Sequence, residues 1–492
     1  MSRRSRLISA TVVAGVAGAL LAVTGTSYAD TAPTPGAAGL GDRLYPSLGN
    51  GGYDVRDYDL RLVHRTKDPK QTVAGDVTIV AEATQNLSRF NLDFAGGDVG
   101  AVSVNGRPAR FTREGSELIV TPWRFLPAGR RFTVTVSGFT ATPAPPADDS
   151  MMGFLATPDG TVLAGQPAAS QLLFPNNNHP RDKATYTVTL TVPQGWTGTA
   201  SGVPRGTRTA NGFVSATYRQ AQPMASELLQ VAVGDFVVHS RPPVGRTAVR
   251  DVVPRRLAAE LLPRLEQERA QLVWMEGKVG AYPFDNYGSL VVEAELGGAL
   301  ETQTLSLYDT GLFALPDAYG AAAIMTHELA HHWFGDSVSP WAWTDIWLNE
   351  GHAHFYELMH EEEAGTFDKY GGMPDRQAYF KAVYTMGNRF RAEHGPVGAP
   401  KDSTSFFHVF NPNVYQGGAL VLYALQEKIG AATFERLERS WLSAFRGKSA
   451  SSQDFIALAS RVAGEDLGPF LTGWLYGTTI PPMPGHPDWT AT

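Results

Sequence analysis

The pattern of hydrophobic and polar positions changes once along the chain. From about residue 45 to residue 240 these positions alternate with a period of two, as in the runs 132–136 and 186–192. Clusters rich in Gly and Pro, such as 143–146, separate the runs. Such alternation is typical of antiparallel strands with one face in water. The sequence therefore predicts an N-terminal antiparallel β domain over residues 45–240.

The second half has a helical period instead. After a basic, Pro-containing link at residues 241–246, Leu257, Leu261, Leu265 and Leu272 recur at helical spacing. One β-like run, at residues 289–294, interrupts this pattern. We expect a mostly helical domain over residues 247–482, then a C-terminal tail at 483–492. The predicted fold class is α+β, with several domains.

The first 29 residues have the features of an export signal. Three arginines precede an apolar run from Leu7 to Val23, and small residues end at Ala29. That run is at the short limit for crossing a bilayer. We expect cleavage after Ala29, a flexible leader over residues 30–44, and a secreted protein without a stable membrane anchor. Both the general secretory and the twin-arginine route remain open.

Composition narrows the possible chemistry. The chain has 492 residues and no cysteine, which excludes disulfide bridges, thiolate nucleophiles and cysteine-ligated metals. Its net charge of -7 would become -10 on removal of the first 29 residues, which carry three Arg and no acidic residue. This balance disfavours nucleic acid as a partner. Any metal must be bound by His, Asp or Glu.

Candidate metal ligands concentrate in one segment, since six of the twelve histidines lie between His327 and His360. In the sequence His327-Glu328-Leu-Ala-His331, the two histidines would lie about 40° apart around a helix and one turn along it, close enough to chelate one cation. Glu328 would lie beside the metal, where a carboxylate can act as a general base. Glu350 follows after 18 further residues and supplies a third ligand from a second helix. Two His and one Glu with an open position indicate one catalytic Zn²⁺ per chain.

These motifs resemble those of the aminopeptidase N type of zinc metallopeptidases, a gluzincin family. The resemblance runs from 327–336 through Trp347-Leu-Asn-Glu-Gly351 and extends to residues 52–60 and 282–285. It implies a saddle-like β domain followed by a thermolysin-like catalytic domain. It also implies that His327, His331 and Glu350 bind zinc and that Glu328 is the general base. Because the chain ends soon after residue 477, we expect a compact form without the C-terminal helical domain of many relatives.

The resemblance also assigns residues that bind the substrate. Gly298-Ala299-Leu300-Glu301-Thr302 corresponds to the family's exopeptidase signature, Gly-Ala-Met-Glu-Asn, whose Glu holds the free amino terminus of a peptide. Gln166 lies where the family has a second contact to that amine. Leu300 and Thr302 replace the usual Met and Asn, which puts the first side-chain pocket in question.

Tyr415 corresponds to a family tyrosine that donates a hydrogen bond to the oxyanion of the reaction. Here Gly417 stands where the family's following run has Lys. The simpler interpretation of Tyr415 is a core tyrosine.

For the other polar residues near the motif, we expect structural roles rather than catalytic ones. We expect the extra histidines to pack or hydrogen-bond locally rather than form a second metal site; they are His332, His352, His354 and His360. Asp336 and Asp345 either orient the ligand imidazoles or are acids at helix ends.

The predicted function is that of a secreted zinc aminopeptidase that uses a zinc-activated water on peptides with a free amino terminus. Three alternatives stay open: a zinc endopeptidase, a hydrolase of non-peptide substrates such as epoxides, and a non-catalytic binding protein. The motifs do not specify the preferred terminal residue or the oligomeric state.

Overall fold

The structure is a computed structural model that describes residues 32–314 and 319–492. The predicted export signal at residues 1–29 lies outside the described residues. From Pro33 to Thr492 the chain forms one unit by its internal contacts.

Strands dominate the first half and helices the second, as the hydrophobic pattern predicts. The strands are β1 Thr34–Pro35, β2 Tyr53–Val63, β3 Val73–Ala83, β4 Leu87–Asp93, β5 Ala101–Val104, β6 Arg107–Pro108, β7 Arg110–Glu114, β8 Glu117–Thr121, β9 Arg131–Ala141, β10 Gly153–Ala156, β11 Gly160–Ala164, β12 Lys183–Pro193, β13 Thr197–Ala200, β14 Val203–Ala210, β15 Phe213–Ala225, β16 Val231–Gly234, β17 Phe236–Val244, β18 Thr247–Pro254, β19 Asn286–Tyr287, β20 Ser289–Val292, β21 Ala299–Leu300, β22 Ser306–Asp309, β23 Val338–Pro340 and β24 Lys448–Ala450. The helices are α1 Ala258–Arg264, α2 Glu268–Val279, α3 Tyr319–His331, α4 Trp347–Ala364, α5 Phe367–Gly371, α6 Arg376–His394, α7 Phe406–Val409, α8 Pro412–Ile429, α9 Ala431–Phe445, α10 Ser452–Ala463 and α11 Gly468–Tyr476.

The largest sheet has eight strands in the order β14-β15-β12-β2-β3-β9-β5-β6. Its neighbouring strands are antiparallel except β12 and β2, which run parallel with Tyr186 opposite Tyr58. Buried and partly exposed positions alternate along β12, because successive side chains of a strand point to opposite faces. One hydrophobic core joins this sheet to two four-stranded sheets, β1-β4-β8-β7 and β10-β11-β16-β13.

A mixed six-stranded sheet connects the β-rich part to the helices. Its order is β17-β18-β20-β22-β21, with β19 also paired to β18. One face shares a core with β10, β11 and β16, and the other packs on α1 and α3. The run predicted at residues 289–294 is β20 of this sheet. A further large core, centred on α4 and α8, fills the helical part. Among the described residues, no helix combines the length and the apolar character needed to cross a bilayer.

The predicted link at residues 241–246 is the closed end of a hairpin. β17 and β18 pair antiparallel from Phe236 opposite Pro254 to Val244 opposite Thr247. The prolines at 242 and 243 fit because β17 is an end strand of its sheet, where a missing N–H is tolerated. The change of period at this point therefore does not mark a flexible connection.

The segment predicted as a flexible leader contacts the rest of the chain at several points between Pro33 and Leu44, although most of its residues are exposed. β1 pairs with β4, and Asp42 and Leu44 are buried. The small residues serve close approach rather than flexibility, since a Cβ on Gly36 would lie 2.4 Å from the carbonyl oxygen of Gly51. Parts of this segment therefore have defined contacts with the rest of the chain, and the boundary at residue 44 stays a prediction.

Asp42 anchors this segment to both halves of the chain. Its carboxylate accepts hydrogen bonds from the backbone N–H of Leu44 and of Trp343, each at 2.8 Å, and lies 3.2 Å from Nε2 of His179. Burial opposes ionisation of Asp42, but the contacts with His179 and Trp343 outweigh it and lower its pKa to about 2. The ionised carboxylate therefore stabilises the folded state.

We expect Asp42→Asn to lower the free energy of unfolding by about 2 kcal/mol at pH 7. Because the folded-state pKa lies below the unfolded value, this contribution is present above about pH 4 and is lost as the pH falls towards 2. Urea unfolding of wild type and variant at pH 7 and pH 3 measures the difference and its decline. The exposed Asp98→Asn serves as the control, and equal stability of wild type and Asp42→Asn at pH 7 would contradict this role.

Candidate active site

Two histidines and a glutamate from two packed helices meet at one point. His327 and His331 lie one turn apart at the end of α3, and Glu350 lies in the first turn of α4. Oε2 of Glu350 is 3.4 Å from Nε2 of His327 and 3.2 Å from Nε2 of His331. The structure thus brings together the three side chains that the sequence places in one metal site.

The spacing of these donor atoms fits a zinc ion. Ligand atoms arranged tetrahedrally about Zn²⁺ at about 2.0–2.1 Å lie roughly 3.3 Å from one another. The measured separations of 3.2 and 3.4 Å agree with that value. One carboxylate and two imidazoles are also a donor set that zinc prefers.

The second nitrogen of each imidazole is held by a hydrogen bond. Nδ1 of His327 lies 2.9 Å from Oε2 of Glu357, and Nδ1 of His331 lies 3.2 Å from the carbonyl oxygen of Phe334. With Nδ1 donating the proton, each ring presents Nε2 as the lone-pair donor. Sequence analysis missed Glu357, although its position seven residues after Glu350 puts both on one face of a helix.

Glu328 lies beside these donors and lines the same cavity, whose volume is about 550 Å³. Its Oε2 is buried and has no hydrogen-bond partner among the described residues. Burial raises the pKa of Glu328 to about 8, although His327 and His331 act in the opposite direction. A buried carboxyl with a raised pKa can hold a proton, as a general base must after it has acted.

Glu301 and Gln166 meet at one end of the cavity. Glu301 follows β21, and Gln166 comes from the β-rich part of the chain; Nε2 of Gln166 donates to Oε1 of Glu301 at 2.8 Å. Both side chains are only 3% exposed. A carboxylate oxygen of Glu301 also lies within 4.8 Å of donor atoms of Glu328 and His331. The structure therefore puts both predicted amine contacts next to the candidate metal ligands.

The other residues of the predicted substrate-binding segment lie in two different environments. Gly298 and Ala299 line the cavity, and β21 lies at the end of its sheet. Leu300 is 2% exposed and packs in the core between the sheets, and it does not line the cavity. The Leu300 side chain therefore faces away from the cavity, because alternate residues of a strand point to opposite faces, and a contact of this residue with substrate stays a prediction.

Tyr415 reaches the cavity because α8 crosses α4 at unusually close range. A Cβ on Gly351 of α4 would lie 2.8 Å from the carbonyl carbon of Gly418 in α8. One turn earlier on α8, the ring of Tyr415 stacks near that of His327, with 5.9 Å between centroids. Burial and the neighbouring charge of Glu350 raise the pKa of Tyr415, so its hydroxyl keeps the proton that it can donate.

The other histidines of the segment have local partners, as expected. Nδ1 of His332 lies 2.7 Å from the hydroxyl of Tyr282, and its Nε2 lies 3.0 Å from Oγ of Ser306. His354 could share a metal with His327 and Glu357 by distance alone, but its nitrogens contact Glu357 at 2.8 Å and the Tyr379 hydroxyl at 2.7 Å.

His352 and His360 also have local partners. Nδ1 of His352 lies 2.7 Å from the Leu348 carbonyl oxygen, and Nδ1 of His360 lies 3.3 Å from Glu361.

Neither aspartate in question orients a ligand imidazole in the described residues. Asp345 accepts hydrogen bonds from the backbone N–H and the hydroxyl of Ser452, at the start of α10. Asp336 is buried near His332, with 3.8 Å between Nδ1 and Oδ2. Asp345 is therefore a helix-end acid, and Glu357 has the orienting position instead.

A sequence profile described as Peptidase family M1 domain matches residues 264–474. Aminopeptidase M1-A of Oryza sativa subsp. japonica is 27% identical over 450 residues, which cover 85% of this chain and 50% of the rice protein. Probable aminopeptidase 1 of Saccharolobus solfataricus is 22% identical over 413 residues, covering 81% of this chain and 50% of that protein. The chain thus spans half the length of these two relatives.

Solved structures match over nearly the whole described chain. The M1 zinc metallopeptidase from Deinococcus radiodurans has a TM-score of 0.79 and 29% identity, covering 91% of this chain and 99% of that chain. A mutant of a two-domain M1 zinc metallopeptidase bound to L-arginine has a TM-score of 0.78 and 30% identity, with the same coverage. A mutant of the Deinococcus radiodurans enzyme bound to the substrate Tyr-Ser-Ala also matches, with a TM-score of 0.79, 29% identity and the same coverage.

Glu357→Gln tests the hydrogen bond that orients His327. The amide is a poorer acceptor for Nδ1–H, so we expect zinc affinity to fall about 10- to 100-fold. Competition with a chromophoric chelator measures the affinity. Glu363→Gln on the same helix, where the carboxylate pairs with Lys278, should change it less than about twofold. Unchanged affinity in Glu357→Gln would rule out the orienting role.

Proposed function

The chain belongs to peptidase family M1, and from this premise we propose that it is a zinc aminopeptidase that releases single residues from the amino terminus of peptides. One observation carries the proposal. The Glu301–Gln166 pair is buried in the same cavity as the zinc donor set, and a carboxylate oxygen of Glu301 lies within 4.8 Å of a ring nitrogen of His331. A binding site for an ammonium group therefore adjoins a hydrolytic centre.

The cation would be held by Nε2 of His327, Nε2 of His331 and the carboxylate of Glu350. When bound there, zinc supplies Lewis acidity that polarises a peptide carbonyl and lowers the pKa of water. The buried surroundings strengthen each electrostatic interaction in the site because little water is present to screen it.

Glu328 carries the proton through the reaction. Its carboxylate takes a proton from the attacking water as the water oxygen bonds to the peptide carbonyl carbon. The same carboxyl then gives this proton to the leaving nitrogen as the carbon–nitrogen bond breaks, so that Glu328 ends the cycle ionised. The hydroxyl of Tyr415 donates a hydrogen bond to the negative charge that develops on the carbonyl oxygen.

Glu301 and Gln166 set the position of cleavage. A carboxylate pairs with the α-ammonium of the substrate, and the Gln166 amide fixes the orientation of that carboxylate. With the ammonium held there, only the first peptide bond reaches Glu328. An internal peptide segment would leave buried Glu301 unpaired, which disfavours endopeptidase activity.

We also propose that the protein is exported. The basic start, the apolar run to Val23 and the small residues up to Ala29 support this. The substrates would then be extracellular peptides with free amino termini. Sequencing the amino terminus of protein recovered from the culture medium tests the proposal: a mature chain that begins at Asp30 is expected, and an intact Met1 in a cell-retained protein would contradict it.

The peptidase proposal predicts that activity needs both a metal and a free amino terminus. Release of nitroaniline from aminoacyl nitroanilides should stop on chelation and return with zinc. Acetylation of the amino terminus of a peptide should abolish its cleavage, because the neutral amide cannot pair with Glu301. Mass spectrometry of both peptides after incubation measures this. Cleavage of the acetylated peptide would indicate an endopeptidase, and no hydrolysis of any free peptide would contradict enzymatic function.

Two variants separate the roles in this scheme. Glu328→Gln should lower kcat by at least about 100-fold while zinc content by elemental analysis stays at one per chain. Glu301→Gln should raise KM and lower kcat/KM by about 100-fold, because a charge-assisted contact is lost. An equal loss of zinc in both variants would show disruption of the site rather than these roles.

A further inference from the structure

One wall of the active-site cavity is built from two segments that are distant in sequence. Ser150, Met151 and Met152 line it from the end of the Pro-rich loop before β10. Phe406, Phe407 and Phe410 line it from α7 and its end. The side chains on this wall are mostly large and apolar: Met151, Met152, Phe406, Phe407 and Phe410.

Asp149 joins the two segments. Its Oδ2 accepts a hydrogen bond from the hydroxyl of Ser405 at 2.5 Å, and its Oδ1 accepts one from the backbone N–H of Phe406 at 2.9 Å. Both oxygens of the carboxylate are therefore engaged across a sequence separation of more than 250 residues. This contact fixes the distance between the methionine-bearing loop and the phenylalanines of α7.

The loop itself is held in a strained conformation that directs Met151 into the cavity. Met151 has φ of +59°, a value rarely adopted by a residue with a side chain. Its methyl carbon lies where a Cβ on Gly297 would be only 2.7 Å away. Gly297 precedes the segment that ends in Glu301, so Met151 lies over the approach to the predicted amine site.

The α7 part of this wall is aromatic and partly exposed to solvent. The rings of Phe406 and Phe410 stack with 4.3 Å between centroids, and Phe407 meets Phe406 edge-on at 5.5 Å. Phe407 is 51% exposed, which is high for a side chain of its size. Aromatic and thioether groups of this kind bind apolar side chains through large contact area and favourable sulfur–ring contacts.

The charges around the cavity disfavour acidic substrates. Four glutamates line it, and no Lys or Arg is among its described lining residues. The glutamates are Glu301, Glu328, Glu350 and Glu357. An acidic first side chain would meet repulsion without a cationic partner.

We propose that the Asp149 contact positions an apolar compartment that selects large apolar residues, such as Phe, Leu and Met, at the amino terminus of the substrate. This inference rests on the proposed aminopeptidase function. Asp149 is a positioning residue in it, since it acts through Met151 and the α7 phenylalanines rather than by touching the substrate.

A panel of aminoacyl nitroanilides tests the selection directly. Wild type should hydrolyse the Phe, Leu and Met compounds with kcat/KM at least about tenfold higher than the Ala compound, because each buried methylene adds discrimination. The Glu compound should be poorer than Phe, because its carboxylate would meet the glutamates that line the cavity. A preference for Ala, Glu or Arg would overturn the proposal.

Variants of the contact test the role of Asp149. Asp149→Ala should lower kcat/KM for the Phe compound about fivefold or more, mainly through KM, and change that for Ala less than about twofold. Ser405→Ala should act in the same direction but more weakly, because the bond to the Phe406 N–H remains. Asp149→Asn, which keeps an acceptor oxygen, should retain most of the selectivity, and the remote exposed Asp488→Ala should match wild type. An equal loss on all substrates with Asp149→Ala would show a merely structural role and overturn the proposal.

Met151→Ala gives an independent check on the wall itself. It should reduce the Phe-over-Ala preference without affecting zinc content. An unchanged preference would show that this side chain does not contact the substrate and would overturn the proposal.

Binding to an inactive variant separates this inference from the proposed function. Calorimetry with Glu328→Gln should show Phe-Ala binding at least about tenfold more tightly than Ala-Ala. If the zinc-loaded wild type hydrolyses nothing in the panel, the proposed function fails, yet tighter binding of Phe-Ala still supports the compartment. Equal binding of the two dipeptides overturns the compartment whatever the activity.

Discussion

The structure depends on how α3 and α4 hold one buried carboxylate against two imidazoles. Glu350 is 2% exposed, and burial alone would keep such a group neutral. The neighbouring His331 and His327 outweigh that effect and lower its pKa to about 2. The cavity also contains Glu301 and Glu357, so several buried carboxyl groups lie close to the donor set. A cation bound at this point would interact favourably with the buried carboxyl groups around it.

The surrounding architecture serves to keep these groups in place. The crossing of α4 and α8 at Gly351 and Gly418 brings Tyr415 beside His327, and a side chain at either glycine would push the helices apart. Glu301 follows β21 of the mixed sheet and lies on the side of the sheet where α3 packs. Tyr415 and Glu301 thus come from different layers of the fold, and packing between the layers sets the geometry of the cavity that they line.

Sequence could predict those parts of the site that depend on local spacing. His327, His331 and Glu350 follow from helical periodicity and one fixed interval, and the two halves follow from a change of period at about residue 240. The burial of Leu300 could not be predicted, because a motif does not reveal which face of a strand is buried. The contacts of Asp42 with His179 and Trp343, and the Asp149 contact, depend on partners more than 100 residues away, and no local pattern encodes such pairs.

This division between local and distant contacts has a physical consequence for function. The metal donors lie within 23 residues of one another on two adjoining helices, so their geometry depends on the packing of α3 with α4. Glu301 and Gln166 are 135 residues apart, and their contact exists only when the β-rich part is docked on the mixed sheet. Without that docking, the candidate metal donors would remain together. The Glu301–Gln166 contact, which would position the amino terminus of a substrate, would be lost. In the proposed function, the β-rich part would therefore contribute to exopeptidase specificity, whereas the helical part would contribute the hydrolytic chemistry.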